Sequence, residues 1–523
     1  METPLTPLDF ARRALKLHAD REAVVDGEQR FSYAQFCARI DRWSAALARL
    51  GVKRADRVAT ICPNTHQHLE QFYAIPQLGA VIVPINYRLS ADDFVYVLAH
   101  SGAKVVCVHS DYLDVIDGVR MHIPNVEHFV ALEGSKVRWL DYEELIEAGT
   151  EELVRAAVGE GDLLAINYTS GTTSRPKGVM ITHRNAWVNS VGTLVHWPLR
   201  PADRYLWTLP MFHANGWTFT WTVTAAAATH VCLRQVDAAS VYASVAGEKI
   251  THLCAAPTVL ITIANGPEAQ RRRLPRGVRV ITAGAPPAAA TIERMEAELG
   301  WQVTHVYGLT ETAPFIAICE PLPEHDSLSA PRRAVIKARQ GVELITSGEL
   351  RVVDEHMQDV PKDGRTMGEI VARGNVVMQG YYNDPAASAA AFSGGWFHSG
   401  DGAVVHADGY IEIRDRFKDV IISGGENISS IEVEAALLRH PAVLEAAVVG
   451  MPHPTWGESP HAFIVCRPGE AASESGLREF ARNELAHFKV PSAFHFVKEL
   501  PKTATGKIQK FVLRGRSAAI VQQ

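Results

Sequence analysis

The sequence is poor in the features that mark secreted, membrane-spanning or nucleic-acid-tracking chains. Its 523 residues hold only seven cysteines, Cys37, Cys62, Cys107, Cys232, Cys254, Cys319 and Cys466. They are scattered without a CxxC pair or Cys/His metal spacing, which excludes a zinc module and a disulfide framework and points to a reducing cytoplasm. The first residues lack the basic segment and apolar run of a secretory signal. No stretch reaches the ~20 apolar residues of a membrane span; the most apolar one, 217–233, is broken by five threonines and His230. Basic residues do not predominate either, with 52 Lys and Arg against 58 Asp and Glu and a formal charge of −6, so nucleic acid is an unsuitable partner. A Walker A loop, a GxGxxG fingerprint and a GxSxG elbow are all missing, which removes the kinase, Rossmann and serine-hydrolase readings.

What is present is an ordinary globular composition, 47% hydrophobic and 21% charged. At ~150 residues per domain, the length suggests three or four packed units. Apolar spacing predicts a helix over 33–50, and short apolar runs predict strands at 57–62, 104–108, 163–168, 278–283 and 303–307, each of the last three followed by a Gly-, Pro- or Thr-rich loop. That rhythm is α/β, and ligands sit at such loops. Short β segments follow at 348–353, 368–372 and 410–413. Beyond Asp415 the pattern restarts: Ser429-Ser-Ile-Glu432 opens a helix, strands are expected at 443–449 and 461–465, a helix at 477–486, and a polar loop at 501–507.

The strongest local signal is Tyr168-Thr-Ser-Gly-Thr-Thr-Ser-Arg-Pro-Lys-Gly178 directly after an apolar strand. Glycines free backbone N–H groups to face an anion, hydroxyls add donors and Lys177 adds charge, which together make a phosphate-holding loop. Five further strings follow in order: 210–217 with His213 and Trp217, Tyr307-Gly-Leu-Thr-Glu-Thr312, Ser399-Gly-Asp401, Asp415-Arg-Phe-Lys-Asp419, and 501–507 ending in Lys507. With these six matches the chain resembles the adenylate-forming superfamily of acyl-CoA synthetases, nonribosomal adenylation domains and luciferases.

The resemblance implies an α/β fold: a large N-terminal domain (1–415) of two α/β sheets plus a small β-rich unit, and a small mobile α+β C-terminal domain (416–523) carrying the catalytic lysine. It implies that ATP, Mg²⁺ and CoA serve as cofactors and cosubstrates, with a small carboxylic acid as the other substrate. ATP or AMP would be held by Thr169, Ser170, Gly171, Thr172, Thr173 and Lys177, by Gly284, Ala285 and Pro286, by His305 and Tyr307, and by Thr310, Asp401, Arg416 and Lys507. Thr169 and Glu311 would hold the metal, whose hard charge prefers oxygen. Lys507, Thr310, Glu311 and His213 would carry the chemistry; His213, Trp217 and Gly308 would line the acyl pocket; Ser423, Gly424, Gly425 and Trp456 would meet CoA; Lys418 would be the hinge. Members often pair as homodimers.

By resemblance, 210–217 looks most like ligases of short or medium aliphatic acids, including sulfur-containing ones such as 3-methylthiopropionate. The 423–427 loop also resembles benzoate-type ligases, so an aryl or cinnamic acid remains an alternative. A nucleotide sensor without turnover is the reading from another class; intact Lys177, Glu311, Asp401, Arg416 and Lys507 argue against it. CoA is expected as acceptor rather than a fused carrier, because only sixteen residues follow Lys507.

Overall fold

A computed structural model describes residues 2–149, 153, 155–169, 175–503 and 507–521, with side chains to residue 515. Two large sheets form its body. The nine-stranded sheet runs in the order Val342–Glu343, Phe315–Ile318, Gln302–Gly308, Arg279–Thr282, His252–Ala255, Arg204–Trp207, Thr229–Cys232, Glu22–Asp26, Gln29–Ser32. Its central strands are parallel, so their C-terminal ends open together on one edge, where ligands gather in such sheets. The eight-stranded sheet runs Gly380–Tyr381, Gly178–Thr182, Leu163–Tyr168, Val81–Pro84, Arg57–Ile61, Ala103–Val108, His128–Ala131, Leu140–Asp141.

A four-stranded antiparallel sheet, from Glu349–Val353 to Ile411–Arg416, sits beside them. A five-stranded sheet holds the last hundred residues: Glu426–Ile428, Ile421–Ser423, Gly457–Cys466 and Val443–His453, with Ala493–Phe496 paired to Gly457–Cys466. The backbone passes from the third sheet to the fourth between Arg416 and Ile421. This α/β body with its small α+β unit is the expected fold class.

Local sequence explains the joints. Ser32 and Gln35 form a reciprocal cap on Tyr33–Arg49, satisfying helix donors that have no partner of their own. That helix buries Phe36, Ile40, Trp43 and Leu47 on one face, and its Trp43 indole donates to Gln71 Oε1 at 2.8 Å. Thr182 and Asn185 cap His183–His196 in the same way. The largest apolar cluster joins residues of both large sheets, including fully buried Trp207 and Trp221.

Candidate active site

Leu163–Tyr168 and Gly178–Thr182 pair antiparallel with Tyr168 opposite Gly178, and Thr169 N–H donates to Lys177 O at 3.0 Å. The phosphate-loop candidate therefore joins two antiparallel paired strands. Ser170, Gly171, Thr172 and Thr173 lie outside the described residues; both stems are defined. On the first stem, the Tyr168 hydroxyl lies 2.7 Å from His100 Nδ1. On the second, Pro176 O accepts from the Tyr96 hydroxyl at 3.1 Å, and the Arg175 guanidinium lies over the Tyr96 ring. Tyr96 and His100, four residues apart on Ala91–Ser101, share one helix face and hold both stems.

Lys177 Nζ stands 4.7 Å from the centre of the Tyr381 ring, and the Tyr381 hydroxyl donates to Glu311 Oε1 at 2.9 Å. Glu311 follows Thr310 in the short helical turn Thr310–Thr312 at the end of Gln302–Gly308. Burial holds its carboxyl above the ordinary range against the bonds that favour ionisation. A carboxylate so placed suits a hard cation. Gly308 has a steric reason to be glycine: a Cβ there would stand 1.8 Å from Pro314 O.

One residue back along the strand, the buried Tyr307 donates its hydroxyl to Asp401 Oδ2 at 2.8 Å, and Arg416 Nε lies 3.1 Å from Asp401 Oδ1. Asp401 and Arg416 face each other in antiparallel register, so acceptor and donor are pre-set for a ligand's hydroxyls. Gly284 turns sharply after Arg279–Thr282 with φ +87°; Ala285 and Pro286 follow it. His305 is engaged elsewhere: its Nδ1 lies 2.9 Å from the carbonyls of both Ala338 and Arg339.

The acid-pocket string departs from the helix that would align His213 with Trp217. Ala214, Asn215, Gly216, Trp217 and Thr218 all have positive φ, from 36° to 67°, a left-handed turn that costs L-residues energy. Neighbours secure it. Asn167, on the strand that feeds the phosphate loop, donates its amide to Phe212 O and Asn215 Oδ1, both at 3.2 Å. The Thr220 hydroxyl donates to Asn215 O at 3.0 Å, and the Thr218 and Ser190 hydroxyls lie 2.8 Å apart. The turn drives Trp217 inward, edge-on to Phe315 at 5.8 Å, with its Cζ2 3.8 Å from where a Cβ on Gly284 would be.

Lys507, from the small unit, lies among the groups of the large one. Burial, with Arg416 and Lys418 nearby, lowers its ammonium pKa to about 8. His213 is pushed down to about 4, first by burial and then by the charge of Lys507. Lys507 thus interacts electrostatically with His213 and with Asp401 and Arg416. Lys510, three residues on, is tied to Glu434 at 2.8 Å and to Ser430. Ser423, Gly424, Gly425 and Trp456 form a separate group on the five-stranded sheet: Gly424 N–H donates to Trp456 O at 2.8 Å, and a Cβ on Gly424 would meet the half-exposed indole at 2.9 Å.

Sequence reading did not select Tyr96, His100, Asn167 or Tyr381. Tyr381 lies on a two-residue strand and reaches Glu311 across 70 residues, so nothing in its local sequence announces it. The i, i+4 spacing of Tyr96 and His100 was the one available cue.

A lysine-bearing hairpin strand, the buried Glu311 carboxyl, the Asp401–Arg416 pair and Lys507 from a second unit suit a nucleotide-dependent acyl-activating protein. Two family models match in order, AMP-binding enzyme over residues 10–382 and AMP-binding enzyme C-terminal domain over 432–507, and the chain belongs to this adenylate-forming family. It is 42% identical to an acetate–CoA ligase of Humulus lupulus, covering 98% of this chain and 95% of that one. It is 40% identical to a peroxisomal trans-cinnamate:CoA ligase of Petunia hybrida, over 98% and 94%. The crystal structure of an anthranilate CoA ligase in complex with anthranoyl-AMP superimposes with a TM-score of 0.88 at 27% identity, covering 99% of this chain and all of that one. The protein is an ATP-dependent, AMP-forming acyl-CoA ligase whose substrates are a carboxylic acid, ATP and CoA. Among the described residues no helix is long and apolar enough to cross a membrane.

Proposed function

We propose that the acid is a short- or medium-chain aliphatic one, methylthio-substituted acids included, and that the expected site residues act on it in two steps within domains 1–415 and 416–523. In the first step a carboxylate oxygen attacks the α-phosphorus of ATP, and the bond to the β-phosphate breaks, releasing pyrophosphate. In the second the CoA thiol loses its proton and attacks the acyl carbon, and AMP leaves.

One feature supports the first step: Lys507 is buried, burial and Arg416 lower its pKa while Asp401 opposes them, and its charge in turn lowers His213. Two anions must meet there, and a fixed ammonium offsets their repulsion and the charge that builds as pyrophosphate departs. Tyr307 and Gly284 to Pro286 would flank the adenine, Asp401 and Arg416 hold the ribose, and Thr310 and Lys177 meet phosphates. Glu311 and Thr169 offer the oxygen ligands that Mg²⁺ takes alongside a nucleotide's own phosphates, and Mg²⁺ when bound neutralises phosphate charge. The neutral His213 borders the acid without adding charge. The turn at Ser423 to Gly425 with Trp456 suits a pantetheine arm, and rotation about Lys418 would exchange it for Lys507. Seven free cysteines, six of them buried, support a reducing compartment such as the cytoplasm.

The acid's size rests on Trp217, held by the left-handed turn between Phe315 and Gly284. A ring fixed there would shorten a pocket lined by His213, Trp217 and Gly308 to the length of a few carbons. The test is a panel from acetate to decanoate, with benzoate and cinnamate, assayed with ATP, Mg²⁺ and CoA for AMP and thioester. Short and medium aliphatic acids should give the highest kcat/KM, and Trp217→Gly, which suits the positive φ, should move the optimum several carbons longer. A preference for cinnamate unaffected by the substitution would instead favour the aryl reading.

A further inference from the structure

We propose that Tyr381 is a positioning residue for the metal–nucleotide end of the site. A single side chain there sets Glu311 for a cation and Lys177 for phosphate before either arrives. The inference rests on the roles proposed above for those two residues.

The backbone of Tyr381 is fixed to the strand that leaves the phosphate loop. Tyr381 pairs with Val179 and Gly380 with Met180, Tyr382 N–H donates to Gly178 O at 2.7 Å, and Gln379 N–H donates to Met180 O at 3.0 Å. Ser388 Oγ accepts from Tyr381 N–H at 2.9 Å. From this base the phenol spans the distance between two charges. Its hydroxyl meets Glu311 Oε1 at 2.9 Å, and its ring face lies 4.7 Å from Lys177 Nζ. Met378 N–H, three residues earlier, also donates to Glu311 O at 2.8 Å, so one short segment grips the backbone and side chain of the same glutamate.

The chemistry suits a phenol. Burial disfavours an ionised Glu311, and a neutral donor favours the ionised form without placing a competing positive charge where a cation must bind. Occupying Oε1 leaves Oε2 oriented and unshared with Tyr381. The ring gives Lys177 an electron-rich face without neutralising it, as a carboxylate would. Tyrosine has only two side-chain torsions to fix, so the arrangement exists ahead of the ligand at low entropic cost.

Isothermal titration of ATP in the absence of acid, with and without Mg²⁺, tests the assignment without turnover. The ratio of the two affinities reports what Glu311 contributes through the metal. Tyr381→Phe keeps the ring and removes the hydroxyl: the ratio should fall about tenfold, the effect of losing one charge-assisted hydrogen bond, while Mg²⁺-free affinity stays at the wild-type value. Tyr381→Leu removes the ring as well and should also weaken Mg²⁺-free binding several-fold. Thioester formation from supplied acyl-AMP, which needs no metal-bound triphosphate, should be unchanged in Tyr381→Phe. A wild-type ratio in Tyr381→Phe, or equal weakening with and without Mg²⁺, overturns the proposal even if Tyr381→Leu fails to fold. A separate control addresses the wider reading: if Glu311→Gln leaves the ratio unchanged, the metal role of Glu311 fails; if it abolishes the ratio while Tyr381→Phe does not change it, only the role of Tyr381 fails.

Discussion

Lys507 illustrates how a residue acquires chemistry from its surroundings. A lysine in water titrates near 10.4, whereas burial and the nearby Arg416 and Lys418 bring this one to about 8. Its protonated form is the useful one, so kcat/KM for adenylate formation should fall as pH rises through about 8, since that ratio reports the free enzyme's ionisations. Pyrophosphate release followed from pH 6.5 to 9.5 checks this, and Lys507→Arg, charged throughout, should flatten the decline. Lys507→Ala should reduce adenylate formation by at least a hundredfold, yet largely spare thioester formation from supplied acyl-AMP; equal loss in both assays would contradict the division of labour. The candidate site residues could be named from the sequence because each stands at a fixed place in a string that resembles a family motif. His305 was carried over by the resemblance alone; its Nδ1 faces the Ala338 and Arg339 carbonyls.

At the scale of elements, several boundaries followed local rules closely, whereas the strands expected at 443–449 and 461–465 extend to Val443–His453 and Gly457–Cys466. The helix predicted over 33–50 is Tyr33–Arg49, and the strand predicted over 163–168 is Leu163–Tyr168, because cap and apolar spacing are encoded within each segment. The left-handed turn at 214–218 was illegible: four of its five residues resist that conformation, and what holds them comes from Asn167, Ser190 and Thr220, whose approach depends on tertiary packing. Gly216 is the sensitive point. A Cβ there would stand 2.5 Å from Trp207 at a φ of +59°, so Gly216→Ala should destabilise the protein by about 2–4 kcal/mol and raise the KM for acid more than that for ATP. Denaturant melts and paired KM measurements read both. Asn167→Ala should act likewise through the same turn while leaving the Trp207 contact untouched.

At the scale of the molecule, a charge network centred on the buried His66–Asp26 pair ties the two large sheets together. His66 Nδ1 lies 2.8 Å from Asp26 Oδ2 and its Nε2 lies 3.8 Å from Glu143, while Arg234 bridges Asp26 and Glu133. Burial alone would push the imidazole down, but Asp26 and Glu143 outweigh it and raise its pKa to about 9. A folded pKa above the unfolded value of about 6.5 stabilises fully below pH ~6.5, and that contribution disappears as pH rises through about 9, up to about 3 kcal/mol in all. Urea melts from pH 6 to 9.5 should show this alkaline loss, and His66→Gln should be less stable at pH 6 and lack the slope. None of this network was predicted from sequence, since its members lie on five separate segments. The division of the chain into a large and a small part was legible, because a change from long α/β spacing to short β segments and then a fresh capped helix marks each transition.

The strand Gly380–Tyr381 closes the edge of a sheet whose other seven strands end by residue 182. During synthesis, which proceeds at ~5–20 residues per second, the strands Leu163–Tyr168 and Gly178–Thr182 therefore emerge long before Lys177 gains its aromatic neighbour. For some two hundred codons the nascent chain carries those strands without their edge partner, so the ring contact to Lys177 and the bond to Glu311 form late, long after the recognisable string has been made.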